Sequence, residues 1–252
     1  MLGKYELNNI YNEDSYKAIK NIPDNSIDLI LIDPPYLIEA TQGGTNNDLG
    51  KSIQNMNNQL EAKRTTIANG IEDSFLPELL RLQDKTNIYV WCNHKQIIKY
   101  LDFFVTQNSC KFDILLWEKS NATPLFYNKY MTDKEYCLYF RKGGYCNPSN
   151  YKDAHTIFRQ QININDKKKY LHPTIKPLNI IKTLISNSSK ENDIVADFFL
   201  GSGTTAVAAK ELNRNYIGFE IDQEYYKIAK DRLNGISANG QTSMFTNFEE
   251  EL

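Results

Sequence analysis

The chain has 252 residues, 41% hydrophobic and 24% charged, with a net charge of −2. That length suits one large α/β domain, and the composition excludes a disordered, fibrous or membrane-spanning chain. Four scattered cysteines, no apolar run near ~18 residues and no signal-like start at Met1-Leu2-Gly3-Lys4 lead to the expectation of a metal-free protein of the reducing cytoplasm.

In chain order, Tyr5 to Tyr11 reads as a short strand and Ser15 to Asn21 as a helix. The apolar run Ile27 to Ile32 is a buried strand that must stop at Asp33-Pro34-Pro35-Tyr36, because proline cannot donate to a ladder and restricts the residue before it. Residues 37–73, rich in Asn, Gln, Gly and Thr, read largely as a lid. A helix around Ser74 to Leu82 and a strand Asn87 to Trp91 follow. Ile97, Ile98, Leu101, Phe104 and Val105 then fall at helical spacing. Strands Phe112 to Trp117 and Tyr136 to Phe140 precede a helix opened by Pro177, with Leu178, Ile181, Leu184 and Ile185 on one face. Strand Ile194–Phe198, helix Thr204–Leu212, strand Tyr216–Ile221 and helix Gln223–Leu233 close the pattern, leaving a polar tail at 235–252. Strands alternating with helices predict an α/β fold with a mostly parallel, doubly wound sheet in one domain, 1–234.

Charge is unevenly spread. Residues 129–170 hold nine lysines and arginines against four acids, a local excess of +5 in a chain whose total is −2. Tyr, Asn and Gln interleave with them, a mixture suited to phosphates and bases, although such a run is also compatible with a solvated face.

Three motifs carry the chemistry. Asp33-Pro34-Pro35-Tyr36 offers a rigid corner with a carboxylate, backbone carbonyls and a ring face, suited to a planar heterocycle with an exocyclic amino group; a strand-terminating turn is the plain alternative. Asp197-Phe198-Phe199-Leu200-Gly201-Ser202-Gly203-Thr204-Thr205 is a strand, a glycine turn and a helix start, where free N–H groups are placed to face an anion; a tight turn is the commoner explanation of Gly-x-Gly alone. Glu220 ends the next strand and is placed to accept from ribose hydroxyls; Asp222 is the rival acid, better placed to cap a helix. Ala206 replaces the third glycine of a dinucleotide fingerprint, which favours a smaller nucleoside ligand.

With His172-Pro173-Thr174-Ile175-Lys176-Pro177 between them, these motifs resemble the β-ordered, circularly permuted amino-group DNA methyltransferases that depend on S-adenosylmethionine, most closely the N6-adenine members. The resemblance runs from about Tyr5 to Leu233 and implies a Rossmann-like class I fold. It implies a catalytic corner of Asp33, Pro34, Pro35 and Tyr36, with Asp33 also beside the cofactor. It implies cofactor contacts from Asp197, Phe198, Phe199, Gly201, Ser202, Gly203, Thr204, Thr205 and Glu220, with Thr174 and Lys176 as donors to the cofactor carboxylate. Asp14 is either a partner of the cofactor adenine or a helix cap.

Trp117-Glu118-Lys119-Ser120-Asn121, followed by Glu135, resembles a segment that would bring Asn121 to the flipped base. Lys129, Arg141, Lys142 and Arg159 are candidates for DNA within a target-recognition insertion at 129–170. The implied partner is double-stranded DNA, with no membrane and no metal. A homodimer, a cytosine-N4 specificity, a non-catalytic DNA-binding role, and a place in restriction-modification, phage or orphan biology are left open.

Overall fold

The computed structural model describes residues 1–36, 70–122, 130–162, 170 and 175–236. The expectations placed on most of the 37–73 lid, on Lys129, on His172, Pro173 and Thr174, and on nearly all of the tail lie outside those residues.

Two central strands set the architecture. β2 (Leu29–Ile32) is buried at all four positions and β3 (Thr86–Cys92) at all seven. A strand covered on both faces needs apolar side chains on both, and the Leu, Ile and Val run supplies them. β1 (Asn9–Tyr11), β4 (Lys111–Glu118), β5 (Lys134–Lys142), β6 (Ile157–Arg159), β7 (Ile194–Asp197) and β8 (Asn215–Phe219) join them in one sheet of order β1-β8-β7-β2-β3-β5-β4-β6.

Neighbours run parallel except where β5 meets β3 and β4. β5 therefore enters the sheet where its neighbours leave it: Tyr136 pairs with Cys92 and Glu135 with Trp117. From β2 the chain crosses to β3, and from β7 to β8 on the other side, so the crevice between β2 and β7 is a topological switch point.

Helices cover both faces. α1 (Ser15–Ala18), α2 (Phe75–Arg81) and α3 (Ile97–Leu101) bury Ala18, Phe75, Leu79 and Tyr100 against Ile30, Ile32, Ile88 and Val90. α4 (Leu178–Ser188), α5 (Thr204–Glu211) and α6 (Gln223–Leu233) bury Ile181, Leu184, Ala208 and Ala229 against Leu29, Leu31, Tyr89 and Trp91. The alternation of strand side chains thus feeds two cores, one on each face.

Differences from expectation have local causes. β1 begins only at Asn9, because Asn8 takes a left-handed φ of 59° and separates it from the Leu2–Tyr5 bridge. α3 passes into a π-helical segment, Asp102–Gln107, which re-phases the apolar stripe. Tyr100 and Phe104 are fully buried, while Ile98, expected on the inner face, is 78% exposed. Pro177 caps α4 with an extended backbone rather than opening its first turn, and its carbonyl accepts from the Ile180 and Ile181 amides. The three-residue β6 carried no strand pattern of its own and is held by pairing with Leu116–Glu118.

The glycine turn leaves no spare room. Gly203 has φ 80°, and a Cβ there would stand 2.9 Å from the Ala229 Cβ of α6. Gly203→Ala is expected to lower stability by about 1–3 kcal/mol, read as a lower urea midpoint at unchanged slope.

Candidate active site

Because parallel strands end at one edge of the sheet, Asp33 after β2, Asp197 at the end of β7 and Glu220 after β8 converge there. The corner at 33–36 is held from outside. Buried Gln96, the residue before α3, donates through Nε2 to the Pro35 carbonyl at 3.0 Å and accepts from the Asn93 amide at 3.2 Å.

Lys176, two residues before α4, points into the corner. Its Nζ donates to Asp33 Oδ2 at 2.5 Å, to Tyr36 Oη at 3.2 Å and to Glu135 Oε2 at 3.1 Å. The same ammonium lies 5.4 Å from the Tyr36 ring centre and 5.2 Å from that of Trp91. Tyr36 Oη in turn donates to Glu135 Oε2 at 3.3 Å, and Lys119 Nζ meets Glu135 Oε1 at 2.6 Å. Four charges of alternating sign therefore run Asp33, Lys176, Glu135, Lys119. The other Asp33 oxygen, Oδ1, is buried and has no hydrogen-bond partner among the described residues.

Burial shapes the titration of each group. Burial raises the Asp33 pKa, Lys176 opposes it and Glu135 reinforces it, and the net direction is up. Burial opposes the Glu135 charge, but Lys176 and Lys119 outweigh it and bring its pKa down to about 2. Burial would likewise discharge Lys176, yet Asp33 and Glu135 keep it protonated, with its pKa above that of a free lysine.

The neighbouring crevice is organised by backbone. Glu220, also buried, accepts from the Gly201 amide at 2.7 Å and the Asp222 amide at 2.9 Å. Asp197 accepts from the Phe199 amide at 3.0 Å and from the Thr205 hydroxyl, and burial pushes its pKa up to about 7, with Asp33 and Glu220 adding to the rise. Gly201 and Gly203 both adopt left-handed φ, of 53° and 80°. Asn12 Nδ2 donates to the Glu220 and Ile221 carbonyls, which ties the loop after β1 to this edge.

Several side chains behave otherwise than their motifs suggested. Phe198 belongs to the core: it is fully buried, with its ring parallel to Phe219 at 5.6 Å, and its carbonyl accepts from Ser15 Oγ. Phe199 is the partly exposed member of the pair, 5.4 Å from the Phe75 ring. Ser202 and Thr204 are buried and face Arg232 of α6, whose guanidinium donates to Thr204 Oγ1 at 2.7 Å and to the Ser202 carbonyl and hydroxyl at 3.2 Å. Asp14 caps α1 by accepting from the Tyr16 amide at 2.9 Å.

Asn121 clips the backbone of Ile162, accepting from its amide at 2.6 Å, so its side chain is engaged rather than open to a base. Arg141 and Lys142 lie away from the other candidates. Since β5 is antiparallel, they pair with Asn87 and Thr86 at the far edge. Six residues of strand put Arg141 about 20 Å from Glu135, at the opposite edge of the sheet from Asp33. Arg159, by contrast, pairs with Glu118 at the near edge and forms an ion pair with it at 3.1 Å. Gln96, Arg232 and the link from Lys119 to Glu135 were not anticipated, because each depends on a tertiary neighbour that no local spacing reveals.

The family model described as "DNA methylase" (N6_N4_Mtase) matches residues 27–231. This chain is a member of the DNA methylase family. It is 28% identical over 241 residues to the Type II methyltransferase M2.MboI of Moraxella bovis, covering 91% of this chain and 88% of the relative. It is 31% identical over 260 residues to M2.LlaDCHI of Lactococcus lactis subsp. cremoris, covering 91% of each. Among solved structures, the M1.HpyAVI–SAM complex matches with a TM-score of 0.63 at 27% identity, over 89% of this chain and 98% of that one.

A DNA methylase of this family takes its methyl group from S-adenosylmethionine, and the crevice fits that molecule. Asp197 and Glu220 are buried carboxylates whose described hydrogen bonds come from amides and a hydroxyl rather than from cations. Such a site suits a ligand bearing ribose hydroxyls and positive charge, and the left-handed glycines bring backbone close to it. Among the described residues there is no cluster of metal-binding side chains and no helix long and apolar enough to cross a membrane.

The folded-state pKa of Asp197 lies above its unfolded value, so the native methylase holds an extra proton between about pH 4 and pH 7 and loses stability as pH rises through that window. Asp197→Asn is therefore expected to raise the ligand-free Tm more at pH 8 than at pH 5. It should also weaken S-adenosylmethionine binding on the order of tenfold, measured by calorimetry.

Proposed function

We propose that this methylase modifies the exocyclic N6 of adenine in duplex DNA after the base is flipped from the stack. The observation that carries the reading is the Asp33 carboxylate: Oδ2 is tied to Lys176, while Oδ1 is buried and unpaired at a rigid proline corner. An acceptor left bare in that way suits one N–H of an incoming amino group.

The lone pair of an aromatic amine is delocalised into its ring. Hydrogen bonds from the amine to Asp33 Oδ1 and to the Pro34 carbonyl draw the nitrogen towards tetrahedral geometry and free that pair for attack. S-adenosylmethionine supplies a methyl group on an already activated leaving group. Asp33 takes up a proton once methylation has made the nitrogen acidic, and Tyr36 offers a ring face for stacking. On the cofactor side, Asp197, Phe199, the Gly201–Gly203 turn, Thr205 and Glu220 hold the ligand through backbone, carboxylate and hydroxyl. Lys176 serves Asp33 rather than the cofactor carboxylate.

For contact with the duplex we keep to the basic segment 129–170 and to residues at the near edge: exposed Tyr130, Lys134 at the start of β5, and Arg159 at the end of β6. The Type II relatives support a role beside DNA in a bacterial cytoplasm.

The test is methyl transfer from labelled S-adenosylmethionine to mixed-sequence duplex, followed by nucleoside mass spectrometry. The expected product is 6-methyladenine, with turnover reduced about 10²–10⁴-fold by Asp33→Ala while cofactor binding remains. 4-Methylcytosine would keep the mechanism and overturn the base; binding of DNA and cofactor without product would overturn the enzyme.

A further inference from the structure

The charged chain behind Asp33 extends beyond the residues that can touch a substrate. Glu135 sits at the start of the antiparallel β5, and Lys119 one residue past the end of β4, where the Lys119 amide donates to the Asp133 carbonyl at 2.7 Å. Their side chains are only 18% and 13% exposed, and the Lys119 ammonium also lies 5.1 Å from the Trp117 ring centre. Glu135 is clasped on both oxygens, by Lys119 on Oε1 and by Lys176 and Tyr36 on Oε2.

An ammonium has three donors, and those of Lys176 meet three acceptors: Asp33, Glu135 and Tyr36. No donor is left to draw it towards solvent or into the crevice. If Glu135 were neutral, Lys176 would turn its full charge on Asp33 and make that carboxylate a weaker base. If Lys119 were neutral, Glu135 would draw Lys176 more strongly and burden Asp33 with an uncompensated negative neighbour. Either change disturbs an acceptor that must be ionised when the amine arrives and basic enough to take a proton afterwards.

We propose that Glu135 and Lys119 are positioning residues that set the charge and basicity of Asp33 through Lys176, without touching substrate or cofactor. The proposal rests on the catalytic reading of Asp33, but the titration it describes belongs to the ligand-free protein. The groups facing Asp33 are Lys176 before α4, Glu135 and Cys137 on β5, Tyr36 in the corner, Cys92 on β3, Tyr100 in α3 and Asp197 on β7. Burial pushes the thiols and phenols up, Cys92 to about 12, and leaves them neutral in the working range. Asp197, pushed up to about 7, is the neighbour that titrates alongside.

The experiment uses full-length protein labelled with 13C-carboxyl aspartate, without DNA or cofactor. Asp33→Asn and Asp197→Asn assign the two resonances. Glu135→Gln, close in shape to the original, is expected to lower the Asp33 midpoint, and Lys119→Met to raise it, each by at least about half a pH unit. The double variant restores the net charge and should return near the wild-type midpoint, as should Lys119→Arg. The acid limb of the single-turnover methylation rate should move in the same two directions.

A residue that merely supports the fold would lower activity without opposite shifts, so shifts of one sign, or none, overturn the proposal. Either single variant decides alone if the other fails to fold, because each has an assigned direction. Wild-type protein that titrates as described yet methylates no DNA would defeat the proposed function and leave the network standing.

Discussion

The contact between Lys176 and Asp33 is the constraint on which the reacting edge depends. A carboxylate buried at a proline corner would otherwise protonate, and a buried lysine would otherwise discharge. Bringing them together stabilises both ions, but one pair leaves donors over, and those donors explain the positions of Tyr36 and Glu135. Buried ion clusters of this kind are weak evidence for stability, since well-packed apolar residues often do as well. Their persistence at a strand edge is better understood as the cost of holding one carboxylate oxygen ready and unpaired.

The two acids of the β2–β7 crevice show how much a partner matters. Asp33 and Asp197 sit at adjacent strand ends and are both desolvated. Asp33 has an ammonium on one oxygen; Asp197 has an amide and a hydroxyl and is pushed up to about 7. The rise at Asp33 is therefore opposed by an ammonium, whereas the rise at Asp197 is opposed only by neutral donors. The same edge thus holds two desolvated carboxylates whose partners differ in charge.

Much of this was legible in the sequence, for identifiable reasons. Fully apolar runs such as Leu29–Ile32 can only be central strands, and Asp33-Pro34-Pro35 can only end one. Glycines followed by threonines after a strand mark a turn into a helix, and α6 was bounded correctly because Asp222, the rival acid, caps it by accepting from the Glu224 and Tyr225 amides. What failed did so where direction or partnership is not local. Nothing in Lys134–Lys142 says that it runs antiparallel, so Arg141 and Lys142 were drawn towards DNA when strand direction carries them to the other edge. Phe198 and Phe199 are chemically identical neighbours that pack on the same core, and only the tertiary fold decides which is fully buried. Glu135 was legible beside the Trp117–Asn121 segment, but its contacts with Lys176 and Lys119 exist only once β5 is threaded between β3 and β4.

The close approach of Gly203 to Ala229 has a wider consequence. With Arg232 of the same helix bonded to Ser202 and Thr204, the glycine turn and α6 are joined into a single mechanical part. On the proposed reading of this turn as the cofactor cradle, packing this close would leave ligand exchange to other elements. The sequence motif correspondingly reaches farther than its glycines: an alanine in a distant helix is as much a part of it as they are, and a bulkier neighbour there would press directly on the turn.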